Sequence, residues 1–178
     1  MLSAVVVLFA GAALDGCAWY AYDATNRPVA SNVAGRCFVL RENAILSEHF
    51  SYFTAYMLNL PGADECTPQD VAPATRNEER YKPSGLKYPR CPWVPIADIA
   101  KGTKFTVTTI TEQPYGGDGR CWKVEVTLIT GTSAGTTSGI PACHFDFPAS
   151  ELWVQMKSGH EYVEPLKLSD RVASPCTE

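Results

Sequence analysis

Residues 121–130 read Cys121-Trp122-Lys123-Val124-Glu125-Val126-Thr127-Leu128-Ile129-Thr130. Trp122, Val124, Val126 and Leu128 fall on one side of a two-residue repeat, and Lys123, Glu125 and Thr127 on the other. That alternation predicts a half-buried β-strand, because successive strand side chains point to opposite faces. Upstream, Lys104–Thr111 (KFTVTTIT) predicts a second strand with Phe105 and Val107 on one face. Tyr115-Gly116-Gly117-Asp118-Gly119 lies between them as a hairpin-type turn. A hairpin of this kind makes the chain mainly β.

The reading extends outward from there. Lys101-Gly102-Thr103 is a turn, and Gly131–Gly139 (GTSAGTTSG) is expected to be a flexible loop. His144–Pro148 and Leu152–Met156 are expected as two short strands. Arg36–Arg41 (RCFVLR) is expected as a first strand, with Phe38 and Leu40 on one face. Ala44–Leu60 supports two readings: Leu46, Phe50, Phe53, Tyr56, Met57 and Leu60 approximate helical spacing, while its aromatic and Thr content suits strands. Pro61–Pro95 carries seven prolines, each lacking a backbone donor, and long regular elements are not expected there. It is expected to be an insertion stapled by Cys66 and Cys91.

Three segments resemble the bacterial SH3-like fold, a small barrel of short strands. They are the turn and strand Ala100–Val107, the W-x-V segment in Cys121–Val124, and the closing segment Phe147–Val154 (FPASELWV). The resemblance covers about sixty residues of the pattern and implies a small SH3-like barrel, with Arg36–Leu46 supplying the first strand. The Pro-rich insertion and the wide loop at Gly131–Gly139 depart from the family.

The N-terminal run Leu2–Leu14 (LSAVVVLFAGAAL) is uncharged and ends at Asp15. Its length fits a signal-peptide apolar region and falls short of the roughly 18–20 residues of a spanning helix. No Lys or Arg precedes it, so the true start is expected upstream of Met1. Leu14-Asp15-Gly16-Cys17 resembles a bacterial lipobox. Leu14, Gly16 and Cys17 match, and Asp15 stands where a small uncharged residue is usual. The resemblance implies a lipoprotein whose mature chain begins at Cys17 and carries palmitate-type acyl chains, each stabilising membrane attachment by about 0.8 kcal/mol per buried methylene. The organisation expected is a signal peptide over 1–16, a tether over 17–35, and one disulfide-bonded domain over 36–178 with its insertion at 61–95. The aromatics Trp19, Tyr20 and Tyr22 would rest at the membrane interface or fold back on the body as an edge strand.

With Cys17 set aside, Cys37, Cys66, Cys91, Cys121, Cys143 and Cys176 remain, an even set that reads as a disulfide framework in an exported chain. Six cysteines allow 15 pairings, and spacing does not choose among them. Cys176 is expected to pin the C-terminal tail to the body. No C-x-x-C pair or tight histidine pair marks a metal site, so neither metal nor cofactor is expected.

The charge sum of −4 argues against a nucleic-acid surface, which needs a basic face. Cys143-His144-x-Asp146 is the one compact cluster with nucleophile-and-base chemistry. Cys143 is needed to make the cysteine count even, which favours a bridge half beside a surface histidine. His49 and His160 stand alone, and Asp64-Glu65 and Glu78-Glu79 read as solvated. G-x-S-x-G, H-E-x-x-H and P-loop patterns are absent from the sequence. No catalytic set is therefore expected. Aromatics near loops are the remaining candidates. The SH3-like resemblance implies that Tyr81, Tyr88, Trp93 and Tyr115 line a shallow partner-binding surface; the plainer reading is that they pack the insertion onto the barrel. Trp122 and Trp153 are assigned to the core.

The expectation is a non-enzymatic protein of the bacterial cell envelope. It would be held to the membrane by a lipid, face the periplasm, and bind a protein or peptidoglycan-peptide partner through its loops. The alternative is a periplasmic enzyme inhibitor or immunity protein, with the 61–95 insertion as its plug.

Overall fold

The computed structural model describes residues 20–49, 55–60, 93–114, 119–158 and 161–177. Eleven strands run through them in chain order: β1 Tyr22–Asp23, β2 Cys37–Leu40, β3 Ala44–His49, β4 Ala55–Asn59, β5 Trp93–Ile99, β6 Lys104–Pro114, β7 Arg120–Leu128, β8 Thr137–Ile140, β9 Met156–Ser158, β10 Glu161–Tyr162 and β11 Ala173–Pro175. The only helical element among the described residues is a 3-10 turn at Pro28–Ala30. None of their helices is long and apolar enough to cross a membrane. The chain is mainly β, and its main sheet is curled and open.

Nine strands form that sheet in the order β11-β2-β6-β7-β8-β4-β3-β5, with β1 beside β6. The hairpin β6–β7 is its longest pairing, antiparallel from Phe105↔Leu128 to Pro114↔Arg120. Trp122, Val124, Val126 and Leu128 are all buried, as their alternation requires. On β6, Phe105 and Val107 are buried, but an irregularity between Val107 and Thr109 shifts the phase and brings Ile110 inward. Phe38 of β2 stacks on Phe105, ring centroids 5.8 Å apart, and Trp153 approaches the same ring at 6.4 Å. Each such side chain contributes about 1.5–3 kcal/mol on burial, which makes this the energetic centre of the fold.

Ala44–Leu60 resolves as β3 and β4, paired from Ile45↔Asn59 to His49↔Ala55. Strand β5 pairs with the other side of β3, from Ala44↔Ile99 to His49↔Trp93. Both β4 and β5 are antiparallel to β3, so they run parallel to each other. The described chain therefore stops beside Ile45 at the end of β4 and resumes beside His49 at the start of β5. Such a step needs a crossover rather than a simple hairpin loop. Trp93–Pro95, expected inside the insertion, belongs to β5.

Other expectations are corrected. From Tyr22 onward the segment expected as a tether over 17–35 follows the other reading given for it, an edge strand folded back on the body. Tyr22 and Asp23 pair with Glu112 and Thr111. The Ala24 N–H donates to the Ile110 carbonyl at 2.8 Å, and the Ile110 N–H donates to Thr25 Oγ1 at 2.9 Å. Gly35, at φ +69°, turns the chain so that its N–H reaches the Val107 carbonyl at 2.8 Å. Ala24, Ala30 and Val33 are fully buried. These small side chains carry too little apolar area to announce a packed segment. The flexible loop expected over Gly131–Gly139 ends in β8, which pairs with β7 and touches β4 at Met57↔Gly139. A Cβ on Gly139 would meet Met57 Cε at 3.3 Å, so glycine permits that approach. His144–Pro148 is a turn, closed by the Asp146 and Phe147 N–H groups on the Cys143 carbonyl, and not a strand. Of Leu152–Met156, only Met156 enters a strand, as the start of β9, and Val154 makes one isolated bridge, to Leu168.

Candidate functional site

Among the described residues, two cysteine pairs are disulfide-bonded. Cys37, opening β2, joins Cys176, which follows β11. Cys121 of β7 joins Cys143, which follows β8, with Cα atoms 4.9 Å apart. Cys17, Cys66 and Cys91 lie outside the described residues, as do Tyr81, Tyr88 and Tyr115. Trp93 begins β5, the last strand of the sheet path. Along that strand Pro95, Ile96 and Asp98 are exposed, Ile96 at 46%. Of the four expected partner-binding residues, Trp93 is the one that lies among the described residues, at the end of the described sheet path.

The Cys121–Cys143 bridge anchors the only catalytic-type cluster that the sequence suggested. Tyr162 reaches it from β10 and is buried. Its hydroxyl donates to the Ala142 carbonyl at 3.0 Å and lies 3.8 Å from Cys121 Sγ. The His144 backbone N–H donates to the same oxygen at 3.2 Å, and His144 Nδ1 is 2.8 Å from it. His144 is therefore partly buried and oriented by Tyr162, rather than a surface residue. Trp122 meets the Tyr162 ring edge-on at 6.3 Å, which fixes the tyrosine from the core side. Asp146 is exposed as a residue, yet desolvation raises its carboxyl pKa, and the positive charge on His144 opposes that rise.

This geometry defines what the cluster does chemically. Cys121, Cys143 and Asp146 place donor atoms within 4.8 Å of one another. Both sulfurs are spent in the disulfide, so neither supplies the thiolate that a nucleophile or a soft metal ion requires. Tyr162 acts as a hub that ties the turn after β8 to β7 and β10. Sequence reasoning missed Tyr162, because nothing local connects residue 162 to residue 144.

A second group was also missed. Arg120, at the exposed start of β7, lies with its guanidinium 5.3 Å over the Trp122 ring. It pairs with Glu112 at 3.7 Å and with Glu164. Arg120 and Trp122 are two residues apart on one strand and so share a face. That spacing was the available signal.

At the start of the described chain, Tyr20 and Tyr22 are exposed at 63% and 46%. Arg27 lies 5.9 Å over the Tyr22 ring and 3.9 Å from Glu112. Asp23 Oδ1 accepts the Thr25 N–H at 2.9 Å, and this bond holds its carboxyl below the usual range, helped by the Thr25 hydroxyl and by Arg27. Comparisons with protein families, with curated proteins and with solved structures each found no match.

Proposed function

We propose that the protein is an exported, lipid-anchored, non-enzymatic component of the bacterial cell envelope, facing the periplasm and binding a protein or peptidoglycan-peptide partner through loops. The single observation that carries this reading is the oxidised pairing Cys37–Cys176 and Cys121–Cys143. Disulfides persist in oxidising compartments and are rare in the cytosol. These two pairs leave Cys66 and Cys91 as the remaining couple and Cys17 as the odd sulfur. That residue is the one in the lipobox-like sequence. The meander β6–β7–β8 is read as the heart of an SH3-like barrel, with the 61–92 connection as its insertion. The oxidised state of Cys143 supports a binding role over thiol chemistry.

A second reading is favoured by the length of that connection. A crossover between parallel strands needs about 10–12 residues, and 61–92 far exceeds that. The surplus suits an inhibitor or immunity protein that plugs an enzyme cleft. Both readings meet one test. The protein is isolated from the membrane fraction and weighed intact, then used for pull-downs from envelope extracts with and without residues 81–93. The expected result is a chain starting at Cys17 with added acyl mass, and one specific partner lost on deletion. A chain starting at Cys17 with no acyl mass overturns the anchor. Partner capture that survives the deletion overturns the loop as binding element.

A further inference from the structure

The exposed tyrosines at the N-terminal edge of the sheet acquire a role from chain length. The folded body begins at Tyr22, which is fixed by pairing with Glu112 of β6. Only five residue steps separate it from Cys17. Fully extended, they span at most about 18 Å. A body of this size is roughly 40 Å across. A lipid on Cys17 therefore cannot hold the body at arm's length, as a tether over 17–35 would. It brings one particular edge to the bilayer.

That edge carries the chemistry of a headgroup-level contact. Tyr20 and Tyr22 expose amphipathic rings, the kind enriched where one end of a side chain is apolar and the other wet. Arg27 beside Tyr22 is half exposed, and its single contact with Glu112 is long, so donors remain for a phosphate. Asp23 and Glu112 balance the local charge, so the contact needs no anionic lipid. We propose that the β1 edge, with Tyr20, Tyr22 and Arg27, rests against the headgroups of the bilayer that holds Cys17. Strand β5 lies five strands further along the sheet from β6 and is left facing other partners. This inference rests on the lipid-anchor reading above.

The test is hydroxyl-radical footprinting read by mass spectrometry. The acylated full chain in phosphatidylcholine vesicles is compared with the Cys17→Ser chain mixed with the same vesicles. Ile96 and Phe145, also exposed, serve as internal references. The expected result is labelling of Tyr20 and Tyr22 reduced at least about threefold in the acylated chain, with Ile96 and Phe145 unchanged. An acylated, vesicle-bound chain whose two tyrosines label as in the variant overturns this inference and leaves the anchor standing. Absence of acyl mass on Cys17 in the same sample overturns both.

Discussion

Cys176 is held to Cys37 twice: by the disulfide, and by its backbone N–H on the Cys37 carbonyl at 3.0 Å. The two residues are 139 positions apart in the chain, with Cα atoms 5.4 Å apart. The bridge continues the β2–β11 ladder, in which Ala173, Ser174 and Pro175 face Leu40, Val39 and Phe38. Strand β11 is three residues long and ends in a proline that cannot donate. So short a strand gains little from its own hydrogen bonds, and the disulfide supplies the constraint.

Removing that constraint is expected to be costly. A loop this long lowers the entropy of the unfolded chain by the equivalent of about 4–5 kcal/mol in the chain-entropy account. The double variant Cys37→Ser/Cys176→Ser should lose stability on that scale in urea unfolding, with β11 amides exchanging first. A loss below about 1 kcal/mol would show that the C-terminal strand holds without it.

Tyr162→Phe removes only the hydroxyl at the hub. The His144 N–H, His144 Nδ1 and the Ala142 carbonyl each lose a contact. The expected loss is about 1–3 kcal/mol, because several hydrogen bonds of a largely shielded cluster are removed together. Chemical denaturation measures it, and the His144 ring resonances should shift as the ring loses its fixed orientation.

Trp122→Ala and Arg120→Ala separate core from rim on one face of β7. Trp122 is fully buried, and its loss should cost about 3–5 kcal/mol through the cavity left behind. Arg120 is exposed, so its ion pairs and its seat over the ring should together contribute about 1 kcal/mol or less. Equal losses for the two variants would contradict this layering.

Acid titration should show two opposite slopes around the ordinary carboxylate value of 3.8. The Asp146 pKa is raised on folding, so between that value and the folded one the native state binds more protons. Its contribution favours folding on the acid side and is lost as pH rises through that window. The Asp23 pKa is lowered, so its contribution is present above 3.8 and is lost as pH falls through the lowered value. Stability measured from pH 2 to 6 should lose the first slope in Asp146→Asn and the second in Asp23→Asn.

The β6–β7 hairpin was legible because Trp122, Val124, Val126 and Leu128 alternate without interruption and every one is buried. The strand at Cys37–Leu40 was legible for the same reason, and Lys101-Gly102-Thr103 because Gly102 takes φ +88°. Residues 22–35 were legible only as one of two readings, tether or edge strand, since Ala24 and Ala30 are as small as linker residues and are made core only by the edge of β6 that they close. Strand β8 was hidden because Ser138 and Gly139 are small, weak strand formers in a Gly- and Ser-rich run, and pairing with β7 overrides that. In the candidate site, Cys143 was correctly read as half of a disulfide. Its partner Cys121 and the hub Tyr162 follow from tertiary contacts that no local pattern encodes.

The most direct measurement is the intact mass and non-reducing peptide map of the protein taken from the membrane fraction of the cell that makes it. The account predicts a chain beginning at an acylated Cys17, with peptides linked through Cys37–Cys176 and Cys121–Cys143. A chain that retains residues 1–16 and presents seven free thiols before any reductant is added would contradict it.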